Sequence, residues 1–471
     1  MRKTPLYLQI VDLIRGKILR GEWPVGSKLP TQREMAKQFN VNRSTVITAI
    51  EILKSENLLE GKTGSGVYIV NNQWSLLTAN SPHNWNDLSE WALYPPSDNI
   101  VQKINEMENR KDIIHLSKGE LGIDLFPHSE IAQAAEKVSG QLHEFGYGVG
   151  LGDINLRIEI SKHLLKHGIH ASPTSILIVS GALQALKLIS VGTLKRGSTV
   201  FIENPSYLYS IYLFRAAGMT LKPISINENG LNIEELFQQK IKKSLSALYV
   251  NPTFQNPTTT IMSSQNRQLL IEKCQYSQLP IIEDDIYRDL WIDEPAPAPL
   301  KTFDKQGQVL YIGSFSKTIA AGLRIGWLVG PEDVIHRLSD LRMQNDYGSS
   351  YVSQMLVKEL LSSGLYEQHL NRTRTGLKQK RAFLLHLLNQ HFRDYATWSI
   401  PTGGFFIWVT FHKKINTRIL FKQCLSNGVL INPGFIYNDN KPTIRFSFAY
   451  PSFDEMEKGI SKIKELLITH V

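Results

Sequence analysis

The stretch GSFSKT at residues 313–318, followed by LRIGW at residues 323–327, gives the clearest indication of the fold. It begins where the apolar run at residues 309–313 ends, and another apolar run at residues 325–329 follows it. Lys317 therefore comes just after a predicted buried strand, between hydroxyl side chains. Burial and nearby cations lower the pKa of a lysine amine and leave it nucleophilic, so Lys317 is a candidate for covalent bonding to a carbonyl group. Most lysines are merely solvated, so the role of Lys317 has to be judged from the motifs elsewhere in the chain.

Short apolar runs alternate with helical patterns from about residue 113 onward. Besides the two strands above, they lie at residues 176–179, 200–202, 248–250 and 280–283. This alternation predicts an open α/β sheet with mostly parallel strands. The last 130 or so residues combine long helices with predicted strands at 404–409 and 443–448, which indicates a smaller α+β part.

Polar motifs follow several of these strands, at the sheet edge where α/β proteins bind ligands. The sequence SGALQ at residues 180–184 can form an anion-binding turn of backbone amides, and Arg324 can pair with a phosphate. The Asp284 carboxylate can keep the ring nitrogen of a bound pyridine protonated, and the Tyr207 side chain offers an aromatic face on which a ligand ring can stack. Arg445, in the last strand, suits a bidentate grip on a carboxylate.

The N-terminal part carries a disproportionate share of the positive charge. The chain has 52 Lys and Arg and 43 Asp and Glu, a net charge of +9. Residues 1–70 hold 11 basic and 6 acidic residues, a net of +5. Such a balance fits a polyanionic partner, although a merely basic soluble surface fits the charge equally well.

Local signals in residues 4–70 predict three short helices and a β-hairpin. Thr4 and Pro5 can open the first helix, and the TQRE sequence at residues 31–34 matches a capping box that opens the second. Asn40 tolerates the left-handed turn conformation, and Asn42 can cap the third helix. Two β segments around the glycine-rich tip at residues 61–66 complete a winged helix-turn-helix.

This arrangement resembles the N-terminal reader of the GntR family of bacterial repressors, in order, spacing and the G-x-G-x-V tail. A helix in this place enters the major groove of double-stranded DNA with its first residues at base edges. The alternative is a helical docking domain without DNA contacts. The predicted DNA-binding residues are Arg43, Ser44 and Thr45 at base edges, with Arg33 and Lys62 on phosphates.

From about residue 113 to 468 the motifs, in their order, resemble the fold-type I, class I/II aminotransferases, which use pyridoxal 5'-phosphate. The resemblance implies that Lys317 forms the internal aldimine with this cofactor and that Asp284 pairs with its pyridine nitrogen. Arg445 would take the substrate α-carboxylate. Tyr147 matches a tyrosine that reaches the phosphate in the partner subunit.

The other positions carried over from the aminotransferases surround the cofactor. Asn256 and Tyr287 would bond its phenolic oxygen, and Tyr207 would stack on its ring. The residues expected around the phosphate are Ala182, Leu183, Ser314, Ser316 and Arg324.

Two features depart from simple expectations. Thr259 stands where the family has glycine, which removes freedom at positive φ beside the cofactor. His163 and His167 are spaced like a metal-binding pair, with His170 nearby, but we expect a solvated helix end and no metal, since no acidic or cysteine partner is evident.

Both halves together resemble the MocR/GabR subfamily of GntR regulators. The predicted domains are a winged helix at 1–71, a linker at 72–110 and a pyridoxal-phosphate transferase domain at 111–471, whose small C-terminal part begins near 340. The resemblance implies a cytoplasmic transcription regulator, a domain-swapped, head-to-tail homodimer that senses an amino compound by aldimine exchange at Lys317.

Two other functions stay open in the sequence. One is a working aminotransferase of the aminoadipate/kynurenine type with an appended DNA-binding domain, because Lys317, Asp284 and Arg445 make transamination chemically possible. The other is a regulator with pyridoxal phosphate as its only effector. The two cysteines, Cys274 and Cys424, indicate no disulfide scaffold or zinc ribbon, and the sequence predicts no signal peptide or membrane span.

Overall fold

A computed structural model describes residues 5–20, 22–62, 65–70, 99–141, 146–412 and 415–468. The chain divides into two compact units, Met1–Pro95 and Pro96–Val471. Among the described residues, no helix is long and apolar enough to cross a membrane.

The first unit contains three helices and a hairpin, in the predicted order. Its elements are α1 (Leu6–Leu19), α2 (Gln32–Gln38), α3 (Arg43–Ser55), β1 (Leu59–Lys62) and β2 (Gly66–Ile69). The two strands pair antiparallel, with Leu59 opposite Ile69. One apolar cluster joins all of these elements, and Ile14, Met35, Val46 and Leu53 are fully buried in it.

The turn chemistry of this unit follows the sequence signals closely. The Thr31 side chain accepts a hydrogen bond from Glu34 N, and the Glu34 carboxylate accepts one from Thr31 N, which completes the predicted capping box. Asn40 has a φ of 53°, in the left-handed region. Two details differ: Pro5 is the N-cap of α1 rather than its first residue, and the Asn42 side chain makes no capping hydrogen bond. Thr4 lies outside the described residues.

The second unit is built around an eight-stranded sheet. Its first helices are α4 (Asn99–Met107), α5 (His128–Ser139), α6 (Ile154–Lys166), α7 (Ala182–Gly192), α8 (Leu208–Ala216), α9 (Ile233–Gln238) and α10 (Ser264–Ser277). Its first strands are β3 (Ile114–His115), β4 (Ile176–Val179), β5 (Thr199–Asn204), β6 (Thr220–Asn227), β7 (Gly230–Leu231), β8 (Ser246–Val250), β9 (Ile281–Asp284), β10 (Val309–Ser314) and β11 (Gly326–Val329).

The order of the large sheet is β4-β11-β10-β9-β8-β5-β6-β7. The four pairings from β10 through β9, β8 and β5 to β6 are parallel, whereas β11 runs antiparallel to β10 and β4. The strands β4, β8, β9 and β11 are buried along their whole length, as in a sheet covered on both faces. The predicted mostly parallel sheet is therefore confirmed.

The C-terminal part forms a smaller, antiparallel sheet with helices. Its helices are α11 (Glu332–Asp346), α12 (Tyr351–Ser362), α13 (Leu365–Phe392), α14 (Thr417–Ser426) and α15 (Phe453–Ile468), and its strands are β12 (Ala396–Trp398), β13 (Phe406–Phe411), β14 (Val429–Leu430), β15 (Asn432–Pro433) and β16 (Thr443–Ser447). Its sheet order is β12-β13-β16-β15, while β14 pairs with β3.

Helix α4 lies inside the segment 72–110, for which the sequence predicts a linker. Its residues Ile100, Val101, Ile104 and Met107 are buried in the same apolar cluster as β13 and β16. Residues 71–98 lie outside the described part of the chain. The helix therefore places the end of the predicted linker against the core of the second unit.

Candidate functional site

A cavity of about 290 Å³ lies in the second unit, where the carboxyl ends of the parallel strands meet. All the residues predicted to bind cofactor or effector line it, except Tyr147. They are Ala182, Leu183, Tyr207, Asn256, Asp284, Tyr287, Ser314, Ser316, Lys317, Arg324 and Arg445. The topology thus brings together side chains that are more than 260 positions apart in sequence.

Lys317 lies three residues beyond the end of β10. Its Nζ donates a 2.7 Å hydrogen bond to the carbonyl oxygen of Gly119. Burial lowers the pKa of Lys317 to about 8, while the Glu120 carboxylate opposes this shift. A larger fraction of this amine is therefore neutral, and nucleophilic, near neutral pH than for a solvated lysine.

Asp284 is the last residue of β9 and is 4% exposed. One carboxylate oxygen, Oδ2, accepts a 2.8 Å hydrogen bond from the Tyr249 hydroxyl. The other, Oδ1, is buried and has no hydrogen-bond partner among the described residues. Burial raises the pKa of Asp284 to about 6, although the Tyr249 hydrogen bond opposes the increase. An unpaired buried carboxylate oxygen at a cavity wall is a site for a cationic N–H donor.

Strand β4 leads through Gly181 into helix α7, and this turn forms a cup that the sequence predicts to bind an anion. Gly181 has a φ of 89°, and a Cβ on it would lie 2.5 Å from Nη2 of Arg324. The same Nη2 donates to the Ser180 carbonyl oxygen at 2.8 Å. The first backbone N–H groups of a helix point outward from its N-terminal end. Together with the Arg324 guanidinium, these N–H groups favour a phosphate there.

The lysine segment supplies hydroxyl groups beside that cup. Ser314 Oγ accepts a 3.1 Å hydrogen bond from the Ser316 backbone N–H, and Arg324 Nη1 lies 3.4 Å from Ser316 Oγ. Arg324 itself has a φ of 53°, which turns the chain back into β11. These contacts hold two hydroxyls and one guanidinium at a single wall of the cavity.

Arg445 stands on β16 and is 5% exposed. Its Nη1 donates to Asn256 Oδ1 at 2.7 Å, and its Nη2 donates to the Ser117 carbonyl oxygen at 2.9 Å. The guanidinium carbon lies 3.7 Å from the centroid of the Phe406 ring. Its Nε is buried without a hydrogen-bond partner in the part of the chain described. Two hydrogen bonds thus hold the guanidinium in place at the cavity, where the sequence predicts a carboxylate contact.

Tyr287 is 2% exposed and packs edge-on against the Phe405 ring, at a centroid distance of 5.6 Å. Burial raises its pKa above the ordinary value, so the hydroxyl stays protonated and can donate a hydrogen bond.

Thr259 takes the left-handed conformation of the glycine that it replaces, with a φ of 59°. Its N–H donates a 2.6 Å hydrogen bond to the Gln255 carbonyl oxygen, and its hydroxyl donates to the Thr258 carbonyl at the same distance. These bonds compensate part of the strain that a β-branched residue meets there. The loop that carries Asn256 therefore keeps its place at the cavity despite the missing glycine.

Tyr147 lies outside the cavity of its own chain. It is 86% exposed, and its ring is 5.0 Å from that of Tyr347. Residues 142–145, which lie shortly before Tyr147 in sequence, are outside the described residues.

The predicted DNA-binding residues lie on the surface of the first unit. Arg33, Arg43, Ser44 and Lys62 are exposed, and Thr45 is half-buried at the start of α3. A groove lies between α3 and the hairpin, lined by Arg33, Arg43, Lys28, Gln32, Ser65 and Gly66 among others. Gln32 Oε1 accepts hydrogen bonds from Nε and Nη2 of Arg43 at 3.2 and 3.0 Å.

The expectation of a solvated helix end at His163 and His167 is wrong. His163 is 5% exposed, because α6 packs this side against the large sheet, and both rings face the carboxylate of Asp289. The acidic partner was missed because it lies 122 positions beyond His167 in sequence.

Several cavity residues carry no local signal in the sequence. Tyr249 and Asn251 donate hydrogen bonds to Asp284. They lie at the end of an apolar strand, and nothing in the local sequence indicates that they pair with this aspartate. Glu108 and Glu120 also line the cavity, and burial raises the pKa of Glu108. The amphipathic spacing of α4 could have placed Glu108 here, since the buried face of that helix ends one residue earlier.

Comparison with known proteins assigns the two units to two families. Residues 6–69 match the gntR family of bacterial regulatory proteins. Residues 111–463 match the aminotransferase class I and II family.

Several curated relatives are regulators that match this chain over nearly its whole length. The uncharacterized HTH-type transcriptional regulator YdfD of Bacillus subtilis (strain 168) is 49% identical over 471 residues, covering 99% of this chain and 98% of the relative. The HTH-type transcriptional regulator NorG of Staphylococcus aureus (strain N315) is 40% identical over 440 residues, covering 93% and 98%.

Solved aminotransferases share the fold of the second unit. The kynurenine aminotransferase of Pyrococcus horikoshii has a TM-score of 0.76 and 27% identity, covering 84% of this chain and 99% of that one. LysN, the α-aminoadipate aminotransferase of Thermus thermophilus, has a TM-score of 0.73 and 26% identity, covering 83% and 100%. This fold implies dependence on pyridoxal phosphate, and the chain belongs to the GntR-family transcriptional regulators with a class I and II aminotransferase domain, the MocR/GabR-type architecture.

Proposed function

We propose that this regulator binds pyridoxal phosphate at Lys317 and senses an amino compound that takes the place of the lysine amine. The observation that carries the proposal is one cavity that joins the low-pKa amine of Lys317, the unpaired Oδ1 of Asp284 and the guanidinium of Arg445.

The residues of the cavity fit this cofactor. The unpaired Oδ1 of Asp284 would accept a hydrogen bond from a pyridinium nitrogen, and that cation would favour the ionised carboxylate. The protonated hydroxyl of Tyr287 and the amide of Asn256 would bond the phenolic oxygen, and Tyr207 would stack on the ring. The residues that would hold the phosphate are Ala182, Leu183, Ser314, Ser316 and Arg324.

When bound, pyridoxal phosphate supplies an aldehyde that exchanges amines and a ring that withdraws electrons. Lys317 contributes a neutral amine at moderate pH because burial lowers its pKa. After exchange its amine would be free to hold a proton beside the Gly119 carbonyl. Arg445 would orient the incoming compound through its carboxylate, while Asn256 and Ser117 keep the guanidinium in position.

We further propose that the protein is a domain-swapped, head-to-tail homodimer with shared sites. Tyr147 does not line the cavity of its own chain, and its exposed ring would reach the phosphate of a partner subunit instead. Sedimentation of the cofactor-loaded protein should show a dimer at micromolar concentration. A loaded monomer under those conditions contradicts this arrangement.

A working aminotransferase is the second candidate, because a lysine with a lowered pKa can also shuttle the proton that transamination needs. Regulation by pyridoxal phosphate alone is the third.

Purified protein should be mixed with a panel of amino acids while cofactor absorbance and operator binding are followed. A new absorbance band with altered DNA binding and no keto acid supports the sensor. Formation of pyridoxamine phosphate and keto acid without a change in DNA binding supports the enzyme, and no response to any amine supports the third candidate.

A further inference from the structure

A group of three side chains outside the cavity brings together atoms that metals prefer. His163 and His167 lie one helical turn apart at the end of α6, and Asp289 lies in the segment that follows β9. Nε2 of His163 is 3.2 Å from Asp289 Oδ2, and Nε2 of His167 is 3.0 Å from Asp289 Oδ1. One donor atom from each residue lies within 4.8 Å of the other two.

The group is enclosed and its carboxylate is oriented by neighbouring elements. His163 is 5% and Asp289 7% exposed, while His167 is half-buried. The Tyr366 hydroxyl, at the start of α13, donates a 2.7 Å hydrogen bond to Asp289 Oδ2. Arg374 Nε donates to the backbone carbonyl of Asp289 at 3.0 Å, which anchors the segment itself.

The imidazoles lie close to the carboxylate, but not every buried nitrogen makes a hydrogen bond. Nε2 of His167 is buried and has no hydrogen-bond partner among the described residues, although Asp289 Oδ1 is 3.0 Å away. The atom therefore points into the group without aligning an N–H on the oxygen. The three donor atoms lie close enough to surround one cation, with each imidazole nitrogen beside a different oxygen of the carboxylate.

We propose that His163 Nε2, His167 Nε2 and the Asp289 carboxylate form a binding site for one divalent transition-metal ion, with Zn²⁺ as the best fit. Imidazole and carboxylate together suit Zn²⁺, whereas Mg²⁺ and Ca²⁺ prefer oxygen ligands. Ligands about 2 Å from a tetrahedral Zn²⁺ lie roughly 3.3 Å apart, close to the two contacts observed.

The site would tie three elements together behind the cofactor cavity. Asp289 follows the cavity residues Asp284 and Tyr287 on the same segment. The centroid of the His163 ring lies 6.2 Å from that of Phe315, whose neighbours in sequence, Ser314 and Ser316, both line the cavity. A bound ion would therefore crosslink α6, this segment and, through Tyr366, helix α13. We expect metal to stabilise the second unit, with Tyr366 as a positioning residue that orients the carboxylate.

The test uses full-length, pyridoxal-phosphate-loaded protein without a histidine tag, dialysed against a chelator. Zn²⁺ should bind by calorimetry at one ion per chain with micromolar or tighter affinity, and it should raise the melting temperature. Co²⁺ in its place should give the visible absorption of a four- or five-coordinate ion with nitrogen and oxygen ligands.

Variants separate this site from adventitious binding. His167→Gln, at the end of the helix, should weaken Zn²⁺ binding at least about tenfold and abolish the Co²⁺ band, and Asp289→Asn should act likewise. Tyr366→Phe should keep the band and weaken binding about tenfold. His170→Ala, which alters an exposed histidine nearby, is the matched control and should bind like the parent.

The proposal is overturned if the parent takes up no Zn²⁺ at about 100 µM, or if His167→Gln and Asp289→Asn bind it with the parent's affinity and stoichiometry. The three side chains would then form only a buried polar cluster. The melting temperature of each metal-free variant shows whether it folds; His167→Gln, at a half-buried helix end, keeps the test decisive if Asp289→Asn does not fold.

Discussion

Lys317 combines two properties that its neighbours impose on it. Its side chain lies in the cavity and donates to the Gly119 carbonyl, and burial lowers its pKa to about 8. Replacement by alanine removes the amine without filling the cavity. We expect Lys317→Ala to lose the covalent attachment of pyridoxal phosphate. Mass spectrometry after borohydride reduction should find the cofactor on the parent and not on the variant, and a cofactor fixed at one site in the variant would refute the assignment.

The lowered pKa of Lys317 also predicts how attachment depends on pH. Only the neutral amine attacks an aldehyde, and its fraction rises with pH through the pKa. For cofactor-free protein we expect the rate of pyridoxal phosphate attachment to increase through a midpoint near 8. Stopped-flow absorbance across this pH range and well above it measures the rate. A midpoint near the ordinary lysine value of about 10.4 would show that the site does not perturb the amine.

Helix α3 carries the residues predicted to contact bases, and the hairpin carries a lysine predicted to contact phosphate. Arg43 is exposed at the first turn of α3, and Lys62 ends β1 with its Nζ 4.9 Å from the Tyr68 ring centroid. We expect Arg43→Ala to lose about 1–3 kcal/mol of discrimination between operator and random DNA. Lys62→Ala should weaken both equally and reduce the salt dependence.

Fluorescence anisotropy with operator and scrambled duplexes, across a series of salt concentrations, measures both effects. Lys54→Ala is a control on the same helix, since its amine is paired with Glu51 and lies outside the groove. Equal discrimination by Arg43→Ala and the parent would refute the placement of α3 with its first residues at base edges.

The proposed function requires the whole molecule to couple two units that carry separate sets of residues. The predicted DNA-binding residues all lie in the first unit and the cavity lies in the second. We expect Lys317→Ala to bind operator like the parent and to lose its response to the amine. Arg445→Ala should keep the covalent cofactor and need roughly tenfold to hundredfold more effector, because it loses a charge-assisted contact of about 1.5–3 kcal/mol.

Footprinting and a reporter assay, with and without the amine, compare the parent with both variants. Coupling is reciprocal, so operator DNA must in turn shift effector affinity by the same factor as the effector shifts DNA affinity. A response of Lys317→Ala equal to that of the parent would rule out sensing through the lysine.

Local sequence signals were sufficient for much of the fold. The capping box at Thr31, the left-handed Asn40 and the six predicted strands of the large sheet lie where spacing and composition place them. Strand β6 escaped prediction because Lys222 and Pro223 interrupt its apolar pattern, and β3 and β14 are only two residues long. Helix α4 was hidden by the polar segment that precedes it, although its buried residues have helical spacing.

The sequence by itself determined which residues could do chemistry, because motif spacing, capping and strand-end position are properties of neighbouring residues. Only the tertiary structure decided which of them share a site. Tyr249 meets Asp284, Arg445 meets the Ser117 carbonyl, and Asp289 meets two histidines because the strand order folds distant segments onto one edge or one helix face. Such contacts depend on the packing of the whole unit, and no short window of sequence contains both partners.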